Sequence, residues 1–411
     1  MDLAHSPRVQ GLIDQLEAFM DREILPRARI WREAALEGQY PDFIREVQDK
    51  AKREGLWNLA IPNLPMDAPG ERLTNIEFAP LAEIMGRFMG SPKAFNCHAP
   101  DVPNMIMLAD AASSDQRRLW LDPLLNGDIQ SAFAMTEPSV ASSDAMNIQT
   151  SIKKDGDDYV VSGRKWYISG AKTASFHMVM GITDDDAAPS RRHSVIIVPA
   201  DTPGVRLIRP TPFLGFSEPG APAWEIAFED VRVPARNLLG ERGDGFRLGQ
   251  TRLGPARVHH CMRAIGHCET LIQLMQMRAR ERTAFGKNID EYDSTQHMIA
   301  RSRIEIDQAR LLTWSCAWAL DQEGFQSARQ QVSMIKVAVA EVYQKIADRA
   351  LQIFGAMGGS DDTPIRDAFS WARALRIFDG PDEVHLRQIY RLEPKPSEPL
   401  ATSPQILKSP A

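Results

Sequence analysis

Cysteine, aromatic residues and one-signed charge are all scarce in this 411-residue chain, and each scarcity excludes something. Four cysteines, Cys97, Cys261, Cys268 and Cys316, show no close CxxC spacing, which argues against a disulfide framework and suits a reducing cytoplasm. A net charge of −6 with a pI near 5.9 supplies no concentrated basic face, so no nucleic-acid partner is expected. No apolar run is long enough to cross a bilayer, so no membrane insertion is expected either. The N-terminal MDLAHSPRVQG has an immediate acid and no apolar core region, and reads as neither a secretory signal nor a transit peptide. What is present is an ordinary soluble balance of 43% hydrophobic and 25% charged residues. At roughly 150 residues per domain, the length predicts two or three domains.

Three stretches of different texture follow one another. Up to about residue 128 the pattern is helical. VQGLIDQLEAFMDREIL places Val9, Leu12, Ile13, Leu16, Phe19 and Met20 on one face, and PDFIREVQDKAKREGLW opens at Pro and stops at Gly. From 129 to 240, YVVSGRKWYISGA, HSVIIVPA, GVRLIRP and WEIAFEDVRVP are short segments bounded by Pro, Gly and Asp, the mark of a small β-barrel or sandwich. From 241 to 393 the apolar residues recur every three or four positions, as in Val258, Cys261, Ile265, Cys268, Ile272 and Met275, which predicts a helical bundle. Residues 394–411 are rich in Pro and Ser and read as a flexible tail. The class is α+β, mainly α.

Two loops carry groups suited to chemistry. FAMTEPSVASSDAMNIQT gathers Thr136, Ser139, Ser142 and Ser143 in an extended segment, and KWYISG sets Trp166 and Tyr167 beside Ser169. Aromatic faces with a few placed hydroxyls are what a flavin site requires, although serine-rich loops and strand aromatics are more often structural. In RIFDGPDEVH, Asp379 stands directly before Gly380 and Pro381. That is either a solvated turn or a carboxylate held on a short loop between two helices. The cluster His259, His260, Cys261, His267 and Cys268 is metal-like by residue type only. His260 and His267 lie two helical turns apart, and the cysteines follow the apolar stripe, so no metal is expected.

Five segments, AMTEPSVASSD, GRKWYISG, RTAFGK, LQIFGAMGG and RIFDGPDEVH, occur in the order and spacing of the flavin-dependent acyl-CoA dehydrogenase family, and FEDVRVPARNLLG and GDGF resemble its linker into the last helices. The resemblance runs from about residue 10 to 393 and is greatest to the branch that includes human members ten and eleven. It implies an N-terminal helical domain, a small middle β-barrel and a C-terminal four-helix bundle, with FAD between them. It implies Asp379 as the base for the α-proton of an acyl-CoA, and hydride transfer to FAD. Flavin contacts carried over are Phe133, Met135, Thr136, Ser142, Ser143, Tyr167, Ile168, Ser169, Pro381 and Glu383. Arg282, Phe285, Gln352, Gly355 and Ala356 would serve the FAD of a neighbouring subunit in a homodimer or homotetramer, Arg282 as a permanent cation for pyrophosphate. Substrate contacts would be Ser143, Gly254, Arg257 and Gly380, with Arg257 also steadying the Asp379 carboxylate. An electron-transfer flavoprotein is the acceptor the resemblance implies.

The sequence departs from the family in three places. Asp379 stands where most members carry Glu, TEPSVASSD is one residue longer than the usual TEPGAGSD and leaves Ser142 and Ser143 open as the substrate contact, and Asp293 stands where many have Gln. An Asp base is also found in nitroalkane oxidases of this fold. The alternatives to a dehydrogenase are therefore a nitroalkane-oxidase-like or acyl-CoA-oxidase-like enzyme, or an inactive flavin-binding homologue.

Overall fold

The computed structural model describes residues 4–394 apart from Gly38 and Asn63, and the side chains of all of these except Leu253 and Pro255. The expected tail therefore lies, after Pro394, outside the described residues. The chain starts with helices α1 (Pro7–Phe19), α2 (Ala28–Leu36), α3 (Ile44–Arg53), α4 (Asn75–Met85) and α5 (Asp101–Ala111), then the short α6 (Ser114–Gln116) and α7 (Asp122–Leu125). Local chemistry sets their ends. Ser6 Oγ accepts from Val9 N ahead of α1, Thr74 and Glu77 form a capping box on α4, and Gly55 at φ 73° closes α3. The predicted stripe of α1 is inward, with Val9, Leu16 and Phe19 buried and Met20 buried beyond it.

The middle region holds β1 (Ser131–Ala134), β2 (Ser151–Asp155), β3 (Asp158–Ser169), β4 (Phe176–Ile182), β5 (His193–Pro199), β6 (Val205–Pro210), β7 (Ala223–Pro234) and β8 (Leu238–Leu239). They pair in the order β6-β7-β3-β2-β4-β5-β8, with β1 parallel to β4. The β2–β4 link is a single parallel pair, Ser151 with Ile182, and among the described residues β6 and β8 do not pair. The barrel is thus two half-sheets hinged at one corner. They close round a shared core that includes Ile152, Val161, Phe228 and Val231 from one half and Ala132, Val179, Ile196 and Val198 from the other.

The chain then forms α8 (Gly245–Glu281), the hairpin strands β9 (Thr283–Ala284) and β10 (Lys287–Asn288), α9 (Asp293–Phe354), α10 (Ile365–Leu375) and α11 (Asp382–Leu392). Helix α9 breaks at Gly324, φ 76° and ψ 172°. Its two arms run antiparallel, because Arg349 reaches Glu305 at 2.5 Å and Ser302 Oγ at 3.1 Å across the break. The bundle is α8, these two arms and the α10–α11 pair. Every member of the stripe from Val258 to Met275 is buried, in a core continuous with α1 to α5. Helices α4 and α8 meet backbone to backbone at Gly266, where a Cβ would overlap the Glu83 carbonyl. Between them these packings set the α10–α11 loop and β1 against the same stretch of α8, at Arg257 and Arg252.

Candidate active site

Asp379 lies between α10 and α11 at φ 54°, a left-handed conformation that Asp tolerates better than most residues. The loop is fixed through its main chain. Arg257 Nε donates to the Asp379 carbonyl at 2.8 Å, and His385 Nε2 bonds the same oxygen at 3.2 Å. Lys336 Nζ donates to the Leu375 carbonyl and, at 3.4 Å, to that of Gly380. Arg376 pairs with Asp382 at 2.6 Å, and Pro381 caps α11. Gly380 sits at φ 101° with His385 Nε2 where a Cβ would point, so no larger residue fits there. Its N–H donates to no acceptor among the described residues. The Asp379 side chain is 16% exposed, so the solvated turn is excluded.

The guanidinium of Arg257 therefore holds the backbone of Asp379 and not its carboxylate, which corrects the expectation drawn from sequence. The group within reach of the carboxylate is His260, whose Nε2 lies 3.4 Å from Asp379 Oδ2. His260 Nδ1 in turn takes a hydrogen bond from Arg263 Nη2 at 2.9 Å. Burial, then the neighbouring Arg263 charge, pushes the His260 imidazole well below its usual range, and the ring is neutral. Burial likewise lowers His385 to about 3, with Arg257 and Lys336 adding to the effect. Arg252 is a further buried cation, lowered by burial to about 10, with the Asp379 charge opposing that shift. It stacks 4.4 Å from the centre of the Phe133 ring and donates to Asn104 Oδ1 at 2.9 Å, so it ties α8 to β1 and α5. Gly254 faces the Phe325 ring of α9, and its position leaves no room for a substrate against its Cα on that side.

The wall formed by the end of β1, the following loop and β3 carries the expected flavin contacts. Phe133 and Ile168 are buried in it, Met135 is half-buried, and the Trp166 N–H donates to the Thr136 carbonyl at 3.0 Å, joining loop to strand. Tyr167, at φ 51° and 42% exposed, turns its ring outward beside Trp166. The hydroxyls of Thr136, Ser143 and Ser169 make no hydrogen bond among the described residues. Ser142 Oγ instead accepts from Glu137 N at 2.9 Å, so it folds the loop and Ser143 is the serine left open. Beneath the wall Glu137 and Lys165 form a buried pair at 2.9 Å, Glu137 also accepting from Gln149 N, Thr150 N and Thr150 Oγ1.

The remaining expected contacts lie at the far end of α8. Phe285 is 100% exposed at the tip of the β9–β10 hairpin, whose two turn residues Phe285 and Gly286 have φ of 51° and 86°. Arg282 caps α8 with its side chain in solvent and no ion pair among the described residues. Gln352, Gly355 and Ala356 are exposed at the end of α9, and Arg278 stacking over Phe354 at 5.6 Å brings the two ends into one corner. Pro381 and the exposed Glu383 begin α11 beside Asp379. Among the described residues no main-chain hydrogen bond joins the Arg282–Phe285 corner to the Asp379 loop.

Comparison with known proteins agrees with this geometry. Residues 6–128, 132–231 and 243–392 match the N-terminal, middle and C-terminal domains of acyl-CoA dehydrogenase. The chain is 48% identical over 96% of its length to FadE2 of Mycobacterium tuberculosis, named "Probable acyl-CoA dehydrogenase", covering 97% of that protein. The chain belongs to the acyl-CoA dehydrogenase family. It is also 44% identical to acyl-CoA dehydrogenase family member 10 of mouse and 42% to member 11 of rat, each over 95% of this chain, but it spans only 37% and 51% of those longer proteins. A solved Mycobacterium abscessus structure of a candidate acyl-CoA dehydrogenase superposes with a TM-score of 0.90 at 41% identity, covering 95% of this chain and 98% of that one. A glutaryl-coenzyme A dehydrogenase complex superposes at 0.83 and 25% identity, covering 95% and 96%.

Acyl-CoA dehydrogenases are FAD-dependent oxidoreductases, and the residues of this acyl-CoA dehydrogenase fit that cofactor. Uncommitted hydroxyls beside an outward aromatic ring suit a flavin edge, and an unpaired arginine suits pyrophosphate. Among the described residues no group of three or more His, Cys, Asp or Glu side chains could hold a metal ion. Sequence reasoning missed Arg252, Arg263, Lys336 and His385 as parts of the site and read His260 only by type. The available signal was the spacing by three of Arg257, His260 and Arg263, polar positions set into the apolar stripe of α8.

Proposed function

We propose that this chain introduces an α,β double bond into an acyl-CoA thioester, with Asp379 removing the α-proton. One observation carries the reading: Arg257 and Lys336 are spent on main-chain oxygens of the loop and Arg376 on Asp382, so among the described residues the largely enclosed Asp379 carboxylate has no arginine or lysine ion pair. A general base needs a carboxylate oxygen open to the substrate, and a side chain not engaged by arginine or lysine leaves one so. The free Gly380 N–H is suited to the thioester oxygen, where negative charge grows as the α-proton leaves. FAD, when bound, supplies the acceptor for the hydride leaving the β-carbon.

Thr136, Ser143, Tyr167 and Ser169 would hold the flavin ring, and Arg282 with Phe285 would reach the adenosine end of a neighbouring subunit's FAD in a homodimer or homotetramer. The full exposure of Phe285 supports that assembly. Four buried free cysteines and the absence, among the described residues, of a helix long and apolar enough to cross a membrane suit a cytoplasmic enzyme of fatty-acid β-oxidation that passes electrons to an electron-transfer flavoprotein.

The test is turnover on acyl-CoAs of graded length with an artificial electron acceptor. One enoyl-CoA is expected per two electrons accepted, with one length class preferred. Turnover of nitroalkanes and of no thioester would move the chain to the nitroalkane-oxidase reading.

A further inference from the structure

The environment of the Asp379 carboxylate assigns a role to a residue of the helix opposite. Arg263 is always a donor, so its 2.9 Å contact makes His260 Nδ1 the acceptor and puts the ring proton on Nε2. That Nε2 lies 3.4 Å from Asp379 Oδ2, short of a formed hydrogen bond, and the contact can close when substrate fills the site. The imidazole cannot swing away. It is buried edge-on between Phe378, at 5.1 Å between ring centres, and Trp371, at 6.2 Å. We propose that His260 is a positioning residue for Asp379, locked by Arg263 into the tautomer that donates to Oδ2, so that Oδ1 is the oxygen that takes the α-proton.

The proton balance follows from the lock. The α C–H bond breaks, its proton goes to Oδ1, and its electron pair becomes the α,β π bond as the β C–H pair leaves as hydride, for which bound FAD would be the acceptor. A proton on Oδ2 would meet the Nε2–H head on. His260 cannot relay the proton onward either, because its second nitrogen is already occupied by an arginine N–H. A neutral donor orients the base without adding a cation beside it, which suits a group that must attract a proton. The other charged or titratable groups around Asp379 are Arg252, Arg257 and Cys261 on α8, Lys336 on α9, and Asp382 and His385 on α11, while His98, His259 and Lys336 also face His260. Three of these, Arg257, Lys336 and His385, bond main-chain oxygens of the loop, and Asp382 pairs with Arg376.

This rests on Asp379 being the base, and the variants separate the two claims. His260→Leu is expected to lower kcat about 10- to 100-fold with little change in KM, and to move the acid limb of kcat/KM up by about half to one pH unit, since the ionised carboxylate loses a donor. His260→Gln, which keeps a donor, is expected to restore most of the rate and return the limb. A His260→Leu enzyme with the wild-type limb, or a His260→Gln enzyme as impaired as His260→Leu, overturns the positioning role while leaving Asp379 untouched. Should His260→Leu fail to fold, Arg263→Met, which carries no donor, decides. Freeing Nδ1 is expected to add a second ionisation to the acid limb, and a profile superimposable on wild type overturns the lock. An active Asp379→Asn enzyme would instead remove the base itself.

Discussion

Asp379→Asn is expected to lower kcat by about 10²- to 10⁴-fold, the range a positioned general base contributes, while the protein stays folded and yellow. The substitution keeps the shape of the side chain and removes its capacity to take a proton. It leaves the loop intact, because Arg257 and His385 bond the residue 379 carbonyl and not the side chain. His260 Nε2–H can still donate to the amide oxygen, so the new side chain has a defined orientation. FAD content and KM should therefore remain close to wild type, and the loss should fall on kcat. Flavin absorbance per chain and steady-state kinetics on the same preparation check this. A variant that turns over at the wild-type rate removes Asp379 as the base.

The second large effect is on stability. Glu137→Ala is expected to destabilise the fold by about 3–5 kcal/mol, because it leaves a buried lysine without its counter-charge. Lys165 is 0% exposed, and its ammonium otherwise bonds only the Met135 and Met180 carbonyls. The same substitution strips an acceptor from Gln149 N, Thr150 N and Thr150 Oγ1. Burial pulls Lys165 down from 10.5 to about 8, with Glu137 opposing that pull. Without Glu137 it falls further. Between the lowered folded value and 10.5 the unfolded chain holds more protons than the folded one, so stability rises with pH across that window. The deficit of Glu137→Ala should thus be largest near pH 7 and shrink toward pH 9, read from urea midpoints. Adding Lys165→Met should recover much of it. A single variant within 1 kcal/mol of wild type at pH 7 would show that the pair is not buried as described.

The order of helices, strands and helices was legible in the sequence because periodicity changes at each junction, and β3, β5, β6 and β7 were legible because Pro, Gly and Asp bound them. The strands β1 and β4 were not. Phe176–Ile182 is buried on both faces over nearly its whole length, so FHMVMGI has no alternation and cannot be told from a helix segment by period. The break at Gly324 was hidden as well, since DQEGFQ reads as an exposed helical stretch in which one glycine is tolerated. In the site, the turn chemistry of Asp379-Gly380-Pro381 and the five family segments pointed to the base, but its surroundings depended on the third dimension. Spacing placed Arg257 near Asp379 and could not say whether it would meet the carboxylate or the carbonyl. His260 stood in a cluster whose types suggested metal, and only the opposing loop gives it a partner. The loop serines were ambiguous by length. Only the folded loop shows that Ser142 is engaged by the Glu137 N–H.

The visible spectrum of the purified wild-type protein, recorded anaerobically during titration with acyl-CoAs of graded length, tests the central claim most directly. The account predicts a yellow protein whose absorbance bleaches with one length class of thioester and is left unchanged by nitroalkanes. A yellow protein indifferent to every thioester would contradict it.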